Sequence, residues 1–315
     1  MNKKESRKTA VIAGAGQMGR PATELLSSNN VELLAFADNS EKAWGKTILG
    51  AQVMPTEKAL ALGPDIVIIS VLGAGRAGEI YSQIRSLGYE GEILQLRELY
   101  EIFDIRSRCI HSLAERVERL EIPGAVAELG VYKGDTAWQI NELFTGRQLY
   151  LFDTFEGFDK RDLDLESERQ GPQASGTQNS APQTDSKSPR NNKKDHRDFS
   201  DTSVEMVMAR MPNPENCIIK KGYFPETAEG LEDERFAFVS LDPDLYAPVL
   251  SGLEFFYPRL SKGGVIVVHD YDNKQFEGVR KAVDEFEQEL LSKGEGPLAL
   301  VPLGDLHGSC VIIKK

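Results

Sequence analysis

The 315-residue sequence has little of what disulfide-rich or membrane-spanning proteins need. Its three cysteines, Cys109, Cys217 and Cys310, are odd in number and far apart, and none forms a C-x-x-C pair. Neither a disulfide framework nor a zinc site is therefore expected. No apolar run approaches the roughly 20 residues of a membrane span. The first residues are basic and polar, with no apolar stretch behind them, which argues against a signal peptide and favours a cytoplasmic protein.

Basic residues are also scarce relative to acidic ones. Lysine and arginine number 37 against 49 aspartates and glutamates, which gives a net charge of -12 at pH 7. Because binding to phosphate backbones needs clustered cations, and the basic runs here are short and scattered, a nucleic-acid partner is not expected. An acidic balance suits a protein that handles cations, such as metal ions or a sulfonium cofactor.

Short apolar runs alternate with helix-prone stretches in two series, which predicts an α/β protein with two Rossmann-like domains. The first domain is expected over 1–97 and the second over 123–315. The charged, helix-prone stretch between them, 98–122, is predicted to be a helical connector. The last two apolar runs, Leu298–Val301 and Ser309–Ile313, predict a final antiparallel hairpin.

The second series is interrupted at 159–200 by a segment rich in Asp, Glu, Ser, Gln, Asn and Lys. Such a composition cannot bury enough surface to offset its ordering entropy, so a disordered surface insertion is predicted. The segment follows the second strand of its domain, near the expected route of the substrate. Two interpretations stay open: a tolerated loop insertion, and a lid that orders on binding.

A G-x-G-x-x-G turn follows the first strand of the chain and opens a helix, with its glycines at Gly14, Gly16 and Gly19. Asp38 ends the next strand, where an acid can accept hydrogen bonds from ribose hydroxyls. This context predicts a nucleotide site whose ligand stays open. A later turn, Gly73–Arg76, offers a second place for an anion. The alternative is a glycine turn retained only for packing.

A second glycine turn, which contains Gly130 and Gly134, follows the strand that carries Glu128. The next strand ends at Asp153, whose carboxylate is placed to accept hydrogen bonds from a ribose diol. This pattern predicts a site for an adenosyl cofactor, with Glu128 beside its methionine end. For each acid the alternative is a carboxylate that caps a helix or a loop.

Three polar residues, Asp242, His269 and Asp270, follow two further buried strands. Because the carboxyl ends of parallel strands meet at one edge of a sheet, the three are predicted to converge on one divalent cation. Oxygen ligands favour Mg²⁺, while a histidine tolerates or favours Mn²⁺ and other transition metals. Asp244 precedes a helix and is predicted to be its N-cap.

From about Ala125 to its end, the sequence resembles the macrocin O-methyltransferase family, which methylates sugar hydroxyls in macrolide biosynthesis. The matching stretches occur in the family's order and cover most of the domain: Ala127–Trp138, Leu149–Phe158, Lys220–Thr227, Leu241–Pro248, Tyr257–Tyr271 and Gly278–Phe286. The resemblance implies a class I methyltransferase fold, S-adenosylmethionine as methyl donor, and a divalent metal, usually magnesium, that binds neighbouring hydroxyls of the acceptor. It also suggests a homo-oligomer.

The family's metal acids correspond to Asp242 and Asp270, and the family commonly has an acid where this chain has His269. This departure leaves two roles for His269, as a metal ligand or as the general base. His196, in the insertion, is the other candidate base. The remaining histidines, His111 and His307, are assigned structural or surface roles.

These inferences predict an S-adenosylmethionine-dependent, metal-assisted O-methyltransferase. Its expected acceptor is a hydroxyl of a sugar or of a glycosylated small molecule. The protein aligns donor and acceptor, the metal lowers the pKa of the bound hydroxyl, and a base removes its proton, with Asp242 and His269 as the catalytic residues.

Two other classes of function stay open. A non-catalytic protein that binds a nucleotide or nucleotide-sugar would explain His269 and the long insertion, but the retained acids argue against it. An NAD-dependent oxidoreductase built on the first domain would need a hydride-transfer site, and none is visible.

Overall fold

The computed structural model describes residues 7–170 and 199–315. The chain forms two compact units, Met1–Asp104 and Ile105–Lys315. Their division falls inside the stretch predicted as a connector, which contains the end of one helix and the whole of the next. Within the described ranges no helix is both long and apolar enough to cross a membrane.

The described part of the first unit contains a six-stranded sheet with the order β3-β4-β2-β1-β5-β6. Its strands are β1 (Lys8–Ala13), β2 (Val31–Ala37), β3 (Thr47–Ile48), β4 (Ala51–Met54), β5 (Ile66–Ile69) and β6 (Glu92–Gln95). Its helices are α1 (Gly19–Glu24), α2 (Thr56–Leu60), α3 (Ala74–Ser86) and α4 (Leu96–Ile102). All pairs are parallel except β3 with β4. Every residue of β5 is buried, as expected for a parallel strand covered on both faces.

The described part of the second unit contains a seven-stranded sheet with the order β12-β13-β11-β10-β7-β8-β9. Its strands are β7 (Ala125–Leu129), β8 (Leu149–Asp153), β9 (Cys217–Lys221), β10 (Phe236–Leu241), β11 (Leu260–Val268), β12 (Ala299–Pro302) and β13 (Cys310–Ile313). The pairs from β9 to β11 are parallel, and β13 is antiparallel to both β11 and β12. The predicted α/β class and the final antiparallel hairpin are confirmed.

The strand order of this second sheet reverses at β7. The chain runs outward from β7 through β8 to β9, and then returns to place β10 on the other side of β7. Open α/β sheets bind ligands at the carboxyl ends of the strands beside such a reversal. The carboxyl ends of β7 and β10 are therefore where a site is expected.

Helices cover both faces of this sheet, and an apolar cluster lies on each face. The helices are α5 (Ile105–Arg119), α6 (Asp135–Leu143), α7 (Lys160–Gln170), α8 (Val204–Met208), α9 (Tyr246–Arg259) and α10 (Glu277–Ser292). Along β7 the side chains alternate between the clusters, with Ala127 and Leu129 in one and Val126 in the other. Glu128 is also buried, which is unusual for a carboxylate and marks the position as special.

The prediction of disorder over 159–200 is wrong for the first part of that segment. Helix α7 occupies Lys160–Gln170. Residues 171–198 lie outside the described part of the chain, so the prediction for them stays a prediction.

Helix α7 docks through polar contacts rather than through an apolar stripe. The buried carboxylate of Asp162 accepts a hydrogen bond of 3.0 Å from the hydroxyl of Tyr223. The guanidinium groups of Arg161 and Arg169 each lie 3.5 Å from a ring centroid, that of Tyr223 and that of Tyr246 respectively. Such cation–π contacts contribute about 0.5–2 kcal/mol each. A search for apolar periodicity does not detect a helix held in this way.

Candidate active site

The glycine turn of the first unit is shaped by its own packing. A Cβ on Gly14 would lie 2.8 Å from Oγ of Ser70, and one on Gly19 would lie 2.5 Å from the carbonyl oxygen of Gly14. At Gly16 a Cβ would meet no atom within 4 Å. Two of the three glycines therefore have a structural reason to be there, and only Gly16 has none from packing.

The carboxylate of Asp38 also acts within the protein. Its two oxygens accept hydrogen bonds of 2.8 Å from the backbone N–H groups of Ala15 and Ser40. These contacts fasten the glycine turn to the end of β2. The predicted nucleotide site at this turn stays a prediction.

In the second unit, Asp153 organises the loop that follows β7. Its Oδ2 accepts hydrogen bonds from the backbone N–H groups of Val131 (2.7 Å) and Tyr132 (2.9 Å), and its Oδ1 accepts one from Phe155 (2.7 Å). These are the loop-capping contacts that were the alternative for this acid. A role in binding ribose stays a prediction.

Gly130 brings the ends of β7 and β10 together. Its φ is +87°, and a Cβ there would lie 2.2 Å from the carbonyl oxygen of Asp242. Gly134, with φ of +79°, is the N-cap of α6 and packs against Val207. Both glycines are required by backbone conformation and close approach, whatever the loop binds.

Gly130→Ala is expected to lower the free energy of unfolding by about 3 kcal/mol or more. The left-handed backbone costs an alanine about 1–2 kcal/mol, and the clash with the Asp242 carbonyl adds to this. Urea denaturation measures the change. The matched control is Gly146→Ala, where a Cβ meets no atom within 4 Å. Equal stability of the two variants would contradict the account.

Glu128 is a buried carboxylate that lacks full hydrogen bonding. It is 1% exposed, and among the described residues its Oε2 has no hydrogen-bond partner. Burial, and then the negative charge of Asp242, raise its pKa well above the usual value. A buried polar atom without a partner is costly, and a cationic ligand group would relieve that cost.

The three predicted metal ligands lie together at the carboxyl edge of the sheet. Nδ1 of His269 is 2.7 Å from Oδ1 of Asp242 and 3.0 Å from Oδ2 of Asp270. The second oxygen of Asp242 accepts a hydrogen bond of 2.8 Å from Arg106. The structure thus brings the three side chains together, and their binding of one cation stays a prediction.

The charges of this group depend on one another. Burial would raise the pKa of Asp242, but His269 and Arg106 hold it well below its usual value. Burial would likewise lower the pKa of His269, but Asp242 raises it to about 10. His269 therefore holds its proton near neutral pH in this arrangement, which does not suit a general base. The other candidate base, His196, lies outside the described residues.

The prediction that Asp244 is a helix N-cap is wrong. The N-cap of α9 is Leu245, and the first backbone N–H of that helix, at Tyr246, donates to the carboxylate of Glu166 at 3.2 Å. Asp244 has φ of +61°, and its carboxylate joins those of Asp242 and Asp270, with the three possible ligand atoms within 4.8 Å of one another. Burial, and then Asp242, raise the pKa of Asp244 well above its usual value.

Two residues of this group were not predicted. Arg106, on α5, reaches Asp242 from a helix interpreted only as a connector, and also donates to Thr136 at 3.2 Å. His307, which had been assigned a structural or surface role, lies with its Nδ1 3.7 Å from Oδ1 of Asp270. Neither stands in a motif, so only the three-dimensional structure reveals them.

The backbone at this edge is also unusual. Four non-glycine residues with positive φ follow β7, β8, β10 and β11, one after each strand: Tyr132, Phe155, Asp244 and Asp270. Such conformations are uncommon outside glycine and tend to occur at functional sites.

A sheet of this order, with a glycine loop after its central strand and acids after the neighbouring strands, defines a class I methyltransferase domain. A family model described as macrocin O-methyltransferase matches residues 102–295. The chain therefore belongs to the macrocin O-methyltransferase family.

One curated relative is the 8-demethyl-8-(2,3-dimethoxy-alpha-L-rhamnosyl)-tetracenomycin-C 4'-O-methyltransferase of Streptomyces olivaceus. It is 25% identical over 174 residues, which cover 52% of this chain and 58% of the relative. The chain thus spans less than two thirds of that relative's length.

Two solved structures are similar to this chain. The O-methyltransferase NovP is 18% identical, with a TM-score of 0.49 over 67% of this chain and 80% of NovP. CalS11, the calicheamicin methyltransferase, is 17% identical, with a TM-score of 0.46 over 77% of this chain and 94% of CalS11.

Proposed function

We propose that the chain transfers the methyl group of S-adenosylmethionine to a hydroxyl of a sugar or glycosylated small molecule, with a divalent metal bound beside Asp242 and Asp270. One observation carries the proposal. At one sheet edge, a buried carboxylate, Glu128, with one oxygen that has no partner among the described residues, lies with a glycine loop and a group of carboxylates and imidazoles. Family membership supports methyl transfer, and the curated relative's rhamnosyl acceptor supports a sugar hydroxyl.

The residues of the second unit fit the methyl donor. The unpartnered Oε2 of Glu128 suits the ammonium group at the methionine end, because a charge-assisted hydrogen bond would satisfy it. The loop from Gly130 to Gly134 lies at the strand reversal, where open α/β sheets bind ligands. Asp153 holds that loop through the two backbone hydrogen bonds that its Oδ2 accepts. Its Oδ1, which accepts from the N–H of Phe155, is the oxygen that would also accept from a ribose diol.

The same edge fits a divalent cation. The carboxylates of Asp242, Asp244 and Asp270 offer hard oxygen ligands, which Mg²⁺ and Mn²⁺ prefer. When bound, the metal would lower the pKa of the acceptor hydroxyl and hold it in place. Nδ1 of His269 faces two of these carboxylates, so a cation there would compete with its proton. We therefore assign His269 to the metal rather than to proton transfer.

The chain's own contribution is binding and alignment. The sulfonium donor is reactive by itself, so rate depends on a straight approach of the acceptor oxygen to the methyl carbon. The methyl group passes from sulfur to oxygen, and the hydroxyl proton leaves to a base or to water. Arg106 holds the Asp242 carboxylate in position through a 2.8 Å hydrogen bond. The close approach of Gly130 to the carbonyl of Asp242 would keep the proposed donor loop and metal residues at a fixed separation.

Calorimetric titration of the full chain with S-adenosylmethionine, with and without Mg²⁺ or Mn²⁺, tests the donor site. Micromolar binding is expected, weakened about 100-fold in Asp153→Ala, because that change removes charge-assisted hydrogen bonds and frees the loop. Asp233→Ala, at an exposed position, is the matched control. Circular dichroism checks that both variants fold.

If the parent protein binds no S-adenosylmethionine under any of these conditions, the methyltransferase proposal fails. The non-catalytic alternative then gains weight, and titration with nucleotides and nucleotide-sugars is the next measurement. If Asp153→Ala binds as tightly as the parent, Asp153 is a loop-capping residue alone.

A further inference from the structure

We propose that His307 is a metal ligand together with His269 and Asp270, and that this nitrogen-rich site binds a transition-metal ion such as Mn²⁺ or Co²⁺ more tightly than Mg²⁺. The inference rests on the proposed function and names the metal class of the same site. It concerns a histidine that belongs to none of the sequence motifs of the domain.

The three side chains already approach a shared position. One possible ligand atom from each lies within 4.8 Å of the other two. Two atoms bound to one ion at about 2.1 Å lie at most about 4.2 Å apart, so small side-chain rotations suffice. The imidazole rings of His269 and His307 are 5.2 Å apart between centroids and inclined by 34°. Two imidazoles and a carboxylate thus each have a possible ligand atom near a shared position.

Nδ1 of His269 provides an independent indication of a ligand. It is buried, and it has no hydrogen bond of acceptable geometry to any described residue, although two carboxylate oxygens lie within 3.0 Å. A cation shared by this nitrogen and the two carboxylates would satisfy all three groups at once. The side chain of Asp270, 3% exposed, provides the anionic partner.

His307 lies in the turn between β12 and β13, and hydrogen bonds hold this turn in position. Asp305 accepts hydrogen bonds from the backbone N–H (2.8 Å) and hydroxyl (2.9 Å) of Ser309. Gly308, with φ of +71°, accepts a 2.8 Å hydrogen bond from the backbone N–H of Asp272, just after β11. The turn is thereby tied to the segment that carries Asp270, and His307 is held beside it.

The orientation of Asp270 is fixed as well. Its Oδ1 accepts a 2.6 Å hydrogen bond from the side-chain amide of Asn273. Hydrogen bonds of this kind commonly orient metal-binding carboxylates and histidines.

The donor set decides which ion is preferred. Imidazole nitrogen binds Mn²⁺, Co²⁺ and Zn²⁺ but adds little for Mg²⁺, which prefers oxygen and water. Asp270 is shared with the all-oxygen group of Asp242 and Asp244, so magnesium can still bind on that side. A metal site with an acid in place of His269, as is common in the family, would lack this imidazole ligand.

Electron spin-echo spectroscopy of the full chain loaded with Mn²⁺ counts the bound imidazoles without using activity. The chain has four histidines, so the double variant His111→Asn/His196→Asn leaves only the two at the site. Nitrogen couplings from two imidazoles are expected in both the parent and this double variant. His307→Ala should retain one imidazole. Its Mn²⁺ affinity, measured by calorimetry, should fall about 10- to 100-fold while its Mg²⁺ affinity changes little.

An unchanged nitrogen signal and unchanged Mn²⁺ affinity in His307→Ala would overturn the inference. So would tighter binding of Mg²⁺ than of Mn²⁺ and Co²⁺ by the parent. Titration with S-adenosylmethionine in the same samples separates this from the wider proposal. If the parent binds the donor but its metal carries no imidazole, the metal roles of His269 and His307 are rejected and the methyltransferase proposal stands. If the parent does not bind the donor, the methyltransferase proposal itself is rejected.

Discussion

Asp242→Asn is expected to reduce kcat/KM for methyl transfer by about 10³-fold, which corresponds to about 4 kcal/mol of transition-state stabilisation. The change removes the negative charge that lies between Arg106 and His269, and with it the proposed anionic metal ligand at the end of β10. The measurement is initial-rate transfer from S-adenosylmethionine to a panel of rhamnosides at saturating Mg²⁺ or Mn²⁺. Asparagine keeps an oxygen that can accept from Arg106, so the fold should persist.

Calorimetry distinguishes a metal effect from general damage. Binding of S-adenosylmethionine by Asp242→Asn should stay within about threefold of the parent, because Asp242 is assigned to the metal and not to the donor. Asp233→Asn removes an exposed acid on the same domain and should change neither quantity. Retention of full metal-dependent activity in Asp242→Asn would refute the metal role of this edge.

Glu128→Gln is expected to weaken binding of S-adenosylmethionine by about 100-fold, the effect of losing a charge-assisted hydrogen bond in a buried site. The same change should not lower stability. Burial and Asp242 raise the pKa of Glu128, so its ionised form destabilises the fold increasingly as pH rises above the usual glutamate value. The amide removes that cost, and the stability of the variant relative to the parent should therefore increase with pH.

Two measurements on the same variant test the binding and the stability parts of this prediction separately. Calorimetry gives the affinity, and urea denaturation between pH 5 and about 8 gives the free energy of unfolding. Glu142→Gln, an exposed substitution on the neighbouring helix α6, is the control for both. A variant that binds the donor as tightly as the parent would remove Glu128 from the donor site. A variant that is less stable at every pH would show that the carboxylate supports the fold instead.

The sequence was a good guide wherever burial and turn chemistry act locally. Apolar runs bounded by glycine or acids identified β7, β8, β10 and β11, because strands buried on both faces need apolar side chains throughout. Parallel pairing then brought Asp242, His269 and Asp270 to one edge. Family resemblance added the class of donor, which these spacings alone do not define.

The sequence was a poor guide wherever polar contacts join distant segments. Arg106 and Asp242 are 136 positions apart, and no periodicity marks that pair. Helix α7 was interpreted as disordered because its composition is polar, yet arginine–tyrosine stacking and hydrogen bonds hold it in place. Asp244 was assigned as a cap because it precedes a helix, although Leu245 separates it from the first helical residue.

The four residues with left-handed backbone at the carboxyl edge oppose stability to function, both in natural selection and in protein engineering. At Asp244 and Asp270, glycine would relieve backbone strain, but it would also delete a carboxylate of the proposed metal site. A directed-evolution screen that rewards heat resistance alone would favour such changes and would return robust but inactive proteins. Thermostabilised descendants of this chain should therefore be screened for turnover at every round, with these two positions held constant.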